Sequence, residues 1–399
     1  MSLFASVQMA PRDPILGLTE QFAADTRPDK VNLGVGIYLD EQGRLPLLGC
    51  VAAAEQQLLA AARPHGYLPI DGIAAYDQAV RHMVFGGPDN PAVAAGRIAT
   101  VQAVGGTGGL KIGADFLRRH GPGSRVLISD PSWENHRALF TAAGFEVAAY
   151  PYYDPATRAV DFEAMLATLR AAEPGTVVVL HACCHNPTGC DLTPAQWETV
   201  VRTVGQARLV PFLDMAYQGF GQGIAEDGAP VMRFLESGLD FLVATSFSKS
   251  FSLYGERVGA LSVVCGDADE TARVLSQLKI VVRTNYSNPP TFGAQVVTTV
   301  LTSPALRRQW EEELAAMRLR IRAMREALVA GLEAAGAQQD MSFIRRQVGM
   351  FSYSGLSTPQ MQRLRGEFGV YGTDSGRICV AALNLANLDR VVRAIVSVL

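Results

Sequence analysis

FLVATSFSKSFSLYGERVGA (Phe241–Ala260) is the stretch on which the fold turns. Phe241 to Ala244 is an apolar run of the length and type of a buried strand. It breaks into a serine-rich turn holding Lys249, with Phe247 and Phe251 close by and Arg257 eight residues further on. A lysine just past a buried strand is costly as a bare cation, and burial lowers its pKa. A lowered pKa suits a Schiff-base nucleophile. A cation on a surface loop is the other reading that this stretch alone leaves open.

Working outward, the same order of strand and loop recurs, often with a helix after it. Ile98–Val104 runs into Gly105-Gly106-Thr107-Gly108-Gly109 and a helix expected over Leu110–Arg118. A glycine turn opening a helix is an anion site, through free N–H groups and the helix dipole. It is neither GxGxxG nor GxxxxGK[ST], so a dinucleotide fold and a nucleotide triphosphatase are disfavoured. Arg125–Asp130 leads to Trp133, a core residue or a stacking platform. Thr176–His181 leads to Cys183, Cys184, His185 and Asn186, with a helix over Pro194–Gln206. Leu209–Tyr217 ends in Asp214 and Tyr217, and Leu239–Thr245 leads to Lys249. Val258–Val264 reads as the next strand. This alternation predicts an α/β fold with a mostly parallel sheet flanked by helices. Ligands in such sheets sit at the strands' carboxyl ends. Gly106, Thr107, Trp133, Asn186, Asp214, Tyr217 and Lys249 all fall there, which describes a pocket. Adjacent cysteines between two histidines suggest a metal, but extended Cys183 and Cys184 would face opposite ways. No metal is expected.

Residues 1–30, with Pro11, Pro14 and Pro28, read as an irregular arm. Val31–Tyr38 reads as a short strand carrying Gly34 and Gly36, each a turn glycine or a point of close ligand approach. A helix is expected over 47–62, a loop over Tyr67–Gly72, and a polar loop with a lone Arg283 over 281–290. From Pro304 to about Ala335, Trp310, Leu314, Met317, Ile321, Met324, Leu328 and Leu332 step by four and three, which predicts one long helix. Short strands at Gly349–Tyr353 and Arg377–Val380 and a helix from Asn387 suggest a smaller α+β domain. The expected division is 1–46 (arm and part of the small domain), 47–315 (large domain) and 316–399 (small domain). Net charge −3 without a basic tract disfavours nucleic acid, and no apolar run reaches membrane-spanning length. No signal-peptide pattern opens the chain, and six scattered cysteines suit reduced thiols, so a cytoplasmic location is expected.

Asn186-Pro187-Thr188-Gly189, Asp214-Met215-Ala216-Tyr217, Ser246-Phe247-Ser248-Lys249, Gly255-Glu256-Arg257-Val258-Gly259 and Ser375-Gly376-Arg377 together resemble the fold-type I pyridoxal-phosphate aminotransferases, in the aspartate/aromatic (tyrosine) subgroup. The resemblance covers essentially the whole chain. It implies that Lys249 binds pyridoxal 5′-phosphate covalently and then moves a proton, that Asp214 faces the ring nitrogen, and that Tyr217 and Asn186 face the ring's 3′ oxygen. It implies Trp133 stacked on the ring, and Gly106, Thr107, Ser246, Ser248 and Arg257 on the phosphate. It implies Tyr67 reaching that phosphate from a partner subunit. Arg377 would hold the substrate α-carboxylate with the Gly36 backbone, Trp133 and Asn186 beside it. Arg283 of the partner subunit would hold a distal carboxylate, so a homodimer with shared sites is implied.

Asp374 departs from the family pattern, and an acid so near Arg377 could orient it or compete with substrate. Leu39 and Leu45 resemble the aromatic enzymes, whereas Thr107 and Asn288 resemble the aspartate enzymes. The expected activity is amino transfer from tyrosine, phenylalanine or aspartate to 2-oxoglutarate in a ping-pong cycle. An aspartate-preferring enzyme, or a lyase or decarboxylase on the same fold, is the alternative.

Overall fold

Seven strands build the main sheet, in the spatial order Ile98–Val104, Val258–Val264, Phe241–Ser246, Val210–Met215, Val177–His181, Arg125–Asp130, Glu146–Pro151. The computed structural model describes residues 2–10, 15–62 and 64–399; Pro11 and Pro14 of the expected arm lie outside them. All neighbouring strands pair in parallel except Val258–Val264, which is antiparallel to both its neighbours. Its reversal follows from the short connection 247–257. A parallel return needs a crossover of a dozen or more residues, and this loop instead turns straight back, carrying Lys249 and Arg257.

Every residue of Val177–His181, Phe241–Ser246 and Val258–Val264 is buried. Helices cover both faces, so these strands read as continuous apolar runs rather than alternating ones. Alternation survives in the packing. Val177, Val179, Phe212, Leu242 and Ala244 join one core cluster, while Val178, Leu180, Leu213 and Val243 join the other.

The helix Gly105–His120 begins earlier than expected, because the glycines form its first turns instead of a loop before it. Gly105 alone among them has a left-handed φ, +69°. Gly109 is needed for contact: a Cβ there would lie 2.8 Å from the Ala260 carbonyl oxygen, so the helix can rest on the sheet only without one. Its last turn carries Arg118, Arg119 and His120, and its first turn carries no acid. Basic groups there complement the dipole and leave the N-terminal end free for an anion.

The long helix spans Pro304–Ala334, and all seven spine residues from Trp310 to Leu332 are buried. Trp310 stacks on Phe251 with ring centroids 4.7 Å apart, and its Nε1 donates to the Ser250 carbonyl at 2.7 Å. The spine therefore braces the loop that holds Lys249. Beyond it, Phe351–Tyr353 pairs antiparallel with Arg377–Cys379, and Val31–Asn32 pairs parallel with Val370–Tyr371. No described helix is long and apolar enough to cross a membrane.

Four expectations are corrected. Part of the arm is helical, Leu16–Ala24. The strand at Val31 stops at Asn32, since Gly34 and Gly36 lie in the loop that follows. Arg283 sits in the last turn of a helix, Ala268–Asn285, whose buried Leu278, Val281 and Val282 outweigh the polar residues after them. Asp267 caps the start of that helix, accepting the Glu270 N–H at 2.7 Å. A further helix, Phe292–Thr302, follows unforeseen.

Candidate active site

Ten predicted residues line one cavity at the carboxyl end of the sheet: Gly106, Thr107, Trp133, Asn186, Asp214, Tyr217, Ser246, Ser248, Lys249 and Arg257. Leu110, His181 and Ala216 complete its wall. Each strand delivers its contribution as it ends, which is why residues far apart in sequence converge.

One end of the cavity is an anion cradle. The first turn of Gly105–His120 opens here, beside Ser246 and Ser248. Arg257 Nη1 donates to Ser248 Oγ at 3.1 Å and to the Tyr254 carbonyl at 2.9 Å. The Gly105 N–H donates to the Arg257 carbonyl at 2.9 Å, tying the helix start to the lysine loop. Arg257 sits at φ +54°, a conformation that costs a non-glycine residue about 1–2 kcal/mol. A Cβ on Gly105 would reach within 2.5 Å of Arg257 Nη2, so the two residues are fitted to each other.

The other end holds a buried acid. Asp214 is 6 % exposed. Burial alone would raise its carboxyl. The hydrogen bond from His136, the charges of His136 and His181, and Lys249 outweigh that and hold it below the ordinary value. His136 Nε2 lies 3.0 Å from Asp214 Oδ2, and its Nδ1 lies 2.8 Å from Ser132 Oγ. Burial, with His136 adding to it and Asp214 opposing, drives His181 down to about 3, so this imidazole is neutral at pH 7. Both its ring nitrogens are buried without a hydrogen-bond partner among the described residues.

Lys249 lies between the two ends. Its Nζ stands 5.2 Å from the centroid of the Tyr217 ring. Burial lowers it from 10.5 to about 8; Asp214 resists, and Arg257 and Arg377 add to the lowering. Burial likewise pushes the Tyr217 phenol well up, with Arg377 opposing, so Tyr217 is a neutral donor.

Arg377 is 1 % exposed. Its Nη1 donates to Asn186 Oδ1 at 3.1 Å and its Nη2 to the Gly34 carbonyl at 2.8 Å, with Phe351 beneath the guanidinium at 4.4 Å. The expected influence of Asp374 is not found. Asp374 is turned outward onto Arg365, 3.0 Å away. The acid that does approach Arg377 is Glu134, at 3.8 Å.

Tyr67 and Arg283 are not in this cavity. Tyr67 is 97 % exposed. It lines a second cavity with Arg283, Asn288 and Pro290, where Arg283 donates to Ser287 Oγ. A Cβ on Gly36 would meet the Phe351 ring at 2.7 Å, so that glycine lies against the ring under Arg377.

Cys183 and Cys184 do not point apart. Cys184 has φ +51°, which swings its thiol back, and both sulfurs and an Asp227 oxygen lie within 4.8 Å of one another. Asp227 already accepts the N–H groups of Gly219, Gly221 and Gln222. His136, His181 and Asp214 form a second such group, with both His136 nitrogens engaged. Sequence reasoning missed His136, His181 and Glu134. The signal was present for two of them, since Glu134 and His136 follow Trp133 in a predicted pocket loop.

The chain is similar to known proteins over its whole length. The family model "Aminotransferase class I and II" matches residues 28–395. The chain is 61 % identical over 399 residues to an aspartate aminotransferase of Pseudomonas aeruginosa, covering 100 % of both. It is 51 % identical over 400 residues to an aromatic-amino-acid aminotransferase of Escherichia coli, again covering 100 % of both. Among solved structures, an aromatic-amino-acid aminotransferase of Burkholderia pseudomallei covalently bound to pyridoxal phosphate superposes with a TM-score of 0.97 at 63 % identity, covering 100 % of each chain.

Proposed function

The chain belongs to the class I and II aminotransferase family, and from that premise we propose that it moves an amino group from an aromatic amino acid or aspartate to 2-oxoglutarate, with pyridoxal 5′-phosphate as cofactor. The observation that carries this reading is a lysine lowered to about 8, set between an ionised buried acid and an anion cradle in one cavity.

The residues present fit that cofactor. The cradle of helix N-terminus, Ser246, Ser248 and Arg257 suits a phosphate that needs several donors at once. Asp214, kept ionised by His136, suits a protonated ring nitrogen. His181, whose ring nitrogens have no hydrogen-bond partner among the described residues, lines a cavity that a polar ring would fill. When bound, pyridoxal 5′-phosphate supplies an aldehyde for amines to condense with and a ring that withdraws electrons from the substrate Cα.

Lys249 supplies the amine. With a pKa of about 8 it is roughly one-tenth neutral at pH 7, against about one in three thousand at 10.5. The same amine, once free, sits where it can take a proton from the substrate Cα and return it. Asp214 holds a proton at the ring nitrogen. Tyr217 and Asn186 would donate to the ring's 3′ oxygen, and Trp133 would cover one face. Arg377 fixes the α-carboxylate, which aims the Cα bond at the lysine. Because both substrates carry that carboxylate, one site serves both halves of a ping-pong exchange.

The exposed cavity holding Tyr67 and Arg283 supports a homodimer in which these two residues enter the partner's site. The division at 46 and 315 and a cytoplasmic location belong to the same reading. The aspartate name of the Pseudomonas aeruginosa relative and the presence of Asn288 and Thr107 keep aspartate beside tyrosine and phenylalanine as donors. The test is kcat/KM for these three donors with 2-oxoglutarate, scoring glutamate. Ammonia or CO2 release without glutamate would refute amino transfer in favour of a lyase or decarboxylase.

A further inference from the structure

Arg377 is held on three sides and open on one. Gly34, Asn186 and Phe351 fix its two Nη atoms and its face. Its Nε is buried with no hydrogen-bond partner among the described residues. Glu134 stands opposite Nη1, with Oε2 at 3.8 Å, also buried and also without a hydrogen-bond partner. The two charges face each other, yet the gap is too wide for a hydrogen bond. Glu134 opens the helix Glu134–Ala142 directly after Trp133, and 29 % of its side chain remains exposed.

We propose that Glu134 is the resting counter-ion of Arg377, displaced by the substrate carboxylate, and that it thereby sets how tightly the site holds carboxylates. The inference rests on the reading of Arg377 as the carboxylate-binding arginine. A buried guanidinium with no opposite charge is costly, and Glu134 offsets that cost while the site is empty. Its looseness is what makes exchange possible. Nε stays free for the incoming carboxylate, and no hydrogen bond between Glu134 and Arg377 has to break. Once a carboxylate seats on the edge formed by the free Nε–H and Nη2, a second negative charge shares the guanidinium that Glu134 faces at Nη1, and Glu134 then turns toward solvent or weakens the complex. An amino acid brings an ammonium that offsets this repulsion, whereas a 2-oxo acid brings none. Glu134 therefore weakens oxo-acid binding more than amino-acid binding and favours release of the oxo-acid product. Asp374 cannot play this part, being paired with Arg365.

The experiment titrates the holoenzyme with 3-phenylpropionate, a carboxylate without an ammonium, by calorimetry. Glu134→Gln should bind it about fivefold more tightly than the wild type, the scale of a like-charge contact at a partly exposed site. Glu134→Asp should stay near the wild type, and Arg377→Lys should bind at least tenfold more weakly. Kinetically, the gain in Glu134→Gln should fall on the KM of the oxo acid more than on that of the amino acid. If Glu134→Gln binds no more tightly while Arg377→Lys loses affinity, the counter-ion role is overturned and the carboxylate reading of Arg377 stands. If Arg377→Lys binds as well as the wild type, that reading fails and takes this inference with it.

Discussion

Replacing Lys249 with methionine should stabilise the cofactor-free protein at neutral pH. The lysine's folded pKa is about 8, below the ordinary 10.5. The unfolded chain therefore holds this proton more tightly than the folded one. Below pH 8 the lysine is charged in both states, and its full cost burdens the fold. As pH rises from 8 to 10.5 the folded lysine is already neutral, so the cost shrinks; above 10.5 it is gone. The gap corresponds to about 3 kcal/mol at about 1.36 kcal/mol per pH unit. That figure already contains the attraction of Asp214, since the folded value reflects it. Methionine keeps an unbranched stem over the Tyr217 ring without the charge. For a chain of this size the gain is about 3–6 °C in Tm, taking roughly 1–2 °C per kcal/mol. The assay is thermal unfolding of cofactor-free wild type and Lys249→Met at pH 7 and again near pH 10.5. The difference between the two proteins should be largest at pH 7 and close to zero at the higher pH. A variant no more stable at pH 7, or a gain equal at both, would refute a lysine strained by burial.

His136→Phe leaves Asp214 Oδ2 buried without its 3.0 Å donor. Stripping a buried carboxylate of a partner costs about 2–3 kcal/mol, so the cofactor-free Tm should fall by several degrees, and an unchanged Tm would show that the bond carries little. Arg283→Leu should lower kcat/KM for aspartate at least tenfold more than for phenylalanine, because only the dicarboxylate needs that cation. Equal losses on the two donors would mean that Arg283 has a structural role.

Much of the site was legible in sequence because the chemistry sits at strand ends, and strand ends announce themselves. Val258–Val264 and Ile98–Val104 match the structure residue for residue, since buried strands leave unbroken apolar runs. Lys249, Asp214 and Asn186 fall just past such runs. What stayed hidden depends on backbone direction and on contacts between distant segments. The left-handed turn at Cys184 reverses a side chain in a way that strand periodicity does not anticipate. Asp374 is three residues from Arg377 in sequence yet pairs with Arg365, while Glu134, more than two hundred residues away, faces it. Arg283 looked like a loop residue because polar residues follow it, although the helix it ends is held by apolar residues before it. His136 gave no sign of its bond to Asp214, for that contact joins the first turn of one helix to the end of a strand that only the sheet order brings beside it.

The central claim is that Lys249 is the amine to which the cofactor attaches, and mapping that attachment tests it most directly. Holoenzyme reduced with borohydride and digested should carry the pyridoxyl-phosphate mass on the peptide containing Lys249, and Lys249→Ala should carry none. A label on another lysine, or an unlabelled Lys249 peptide from cofactor-saturated protein, would contradict it.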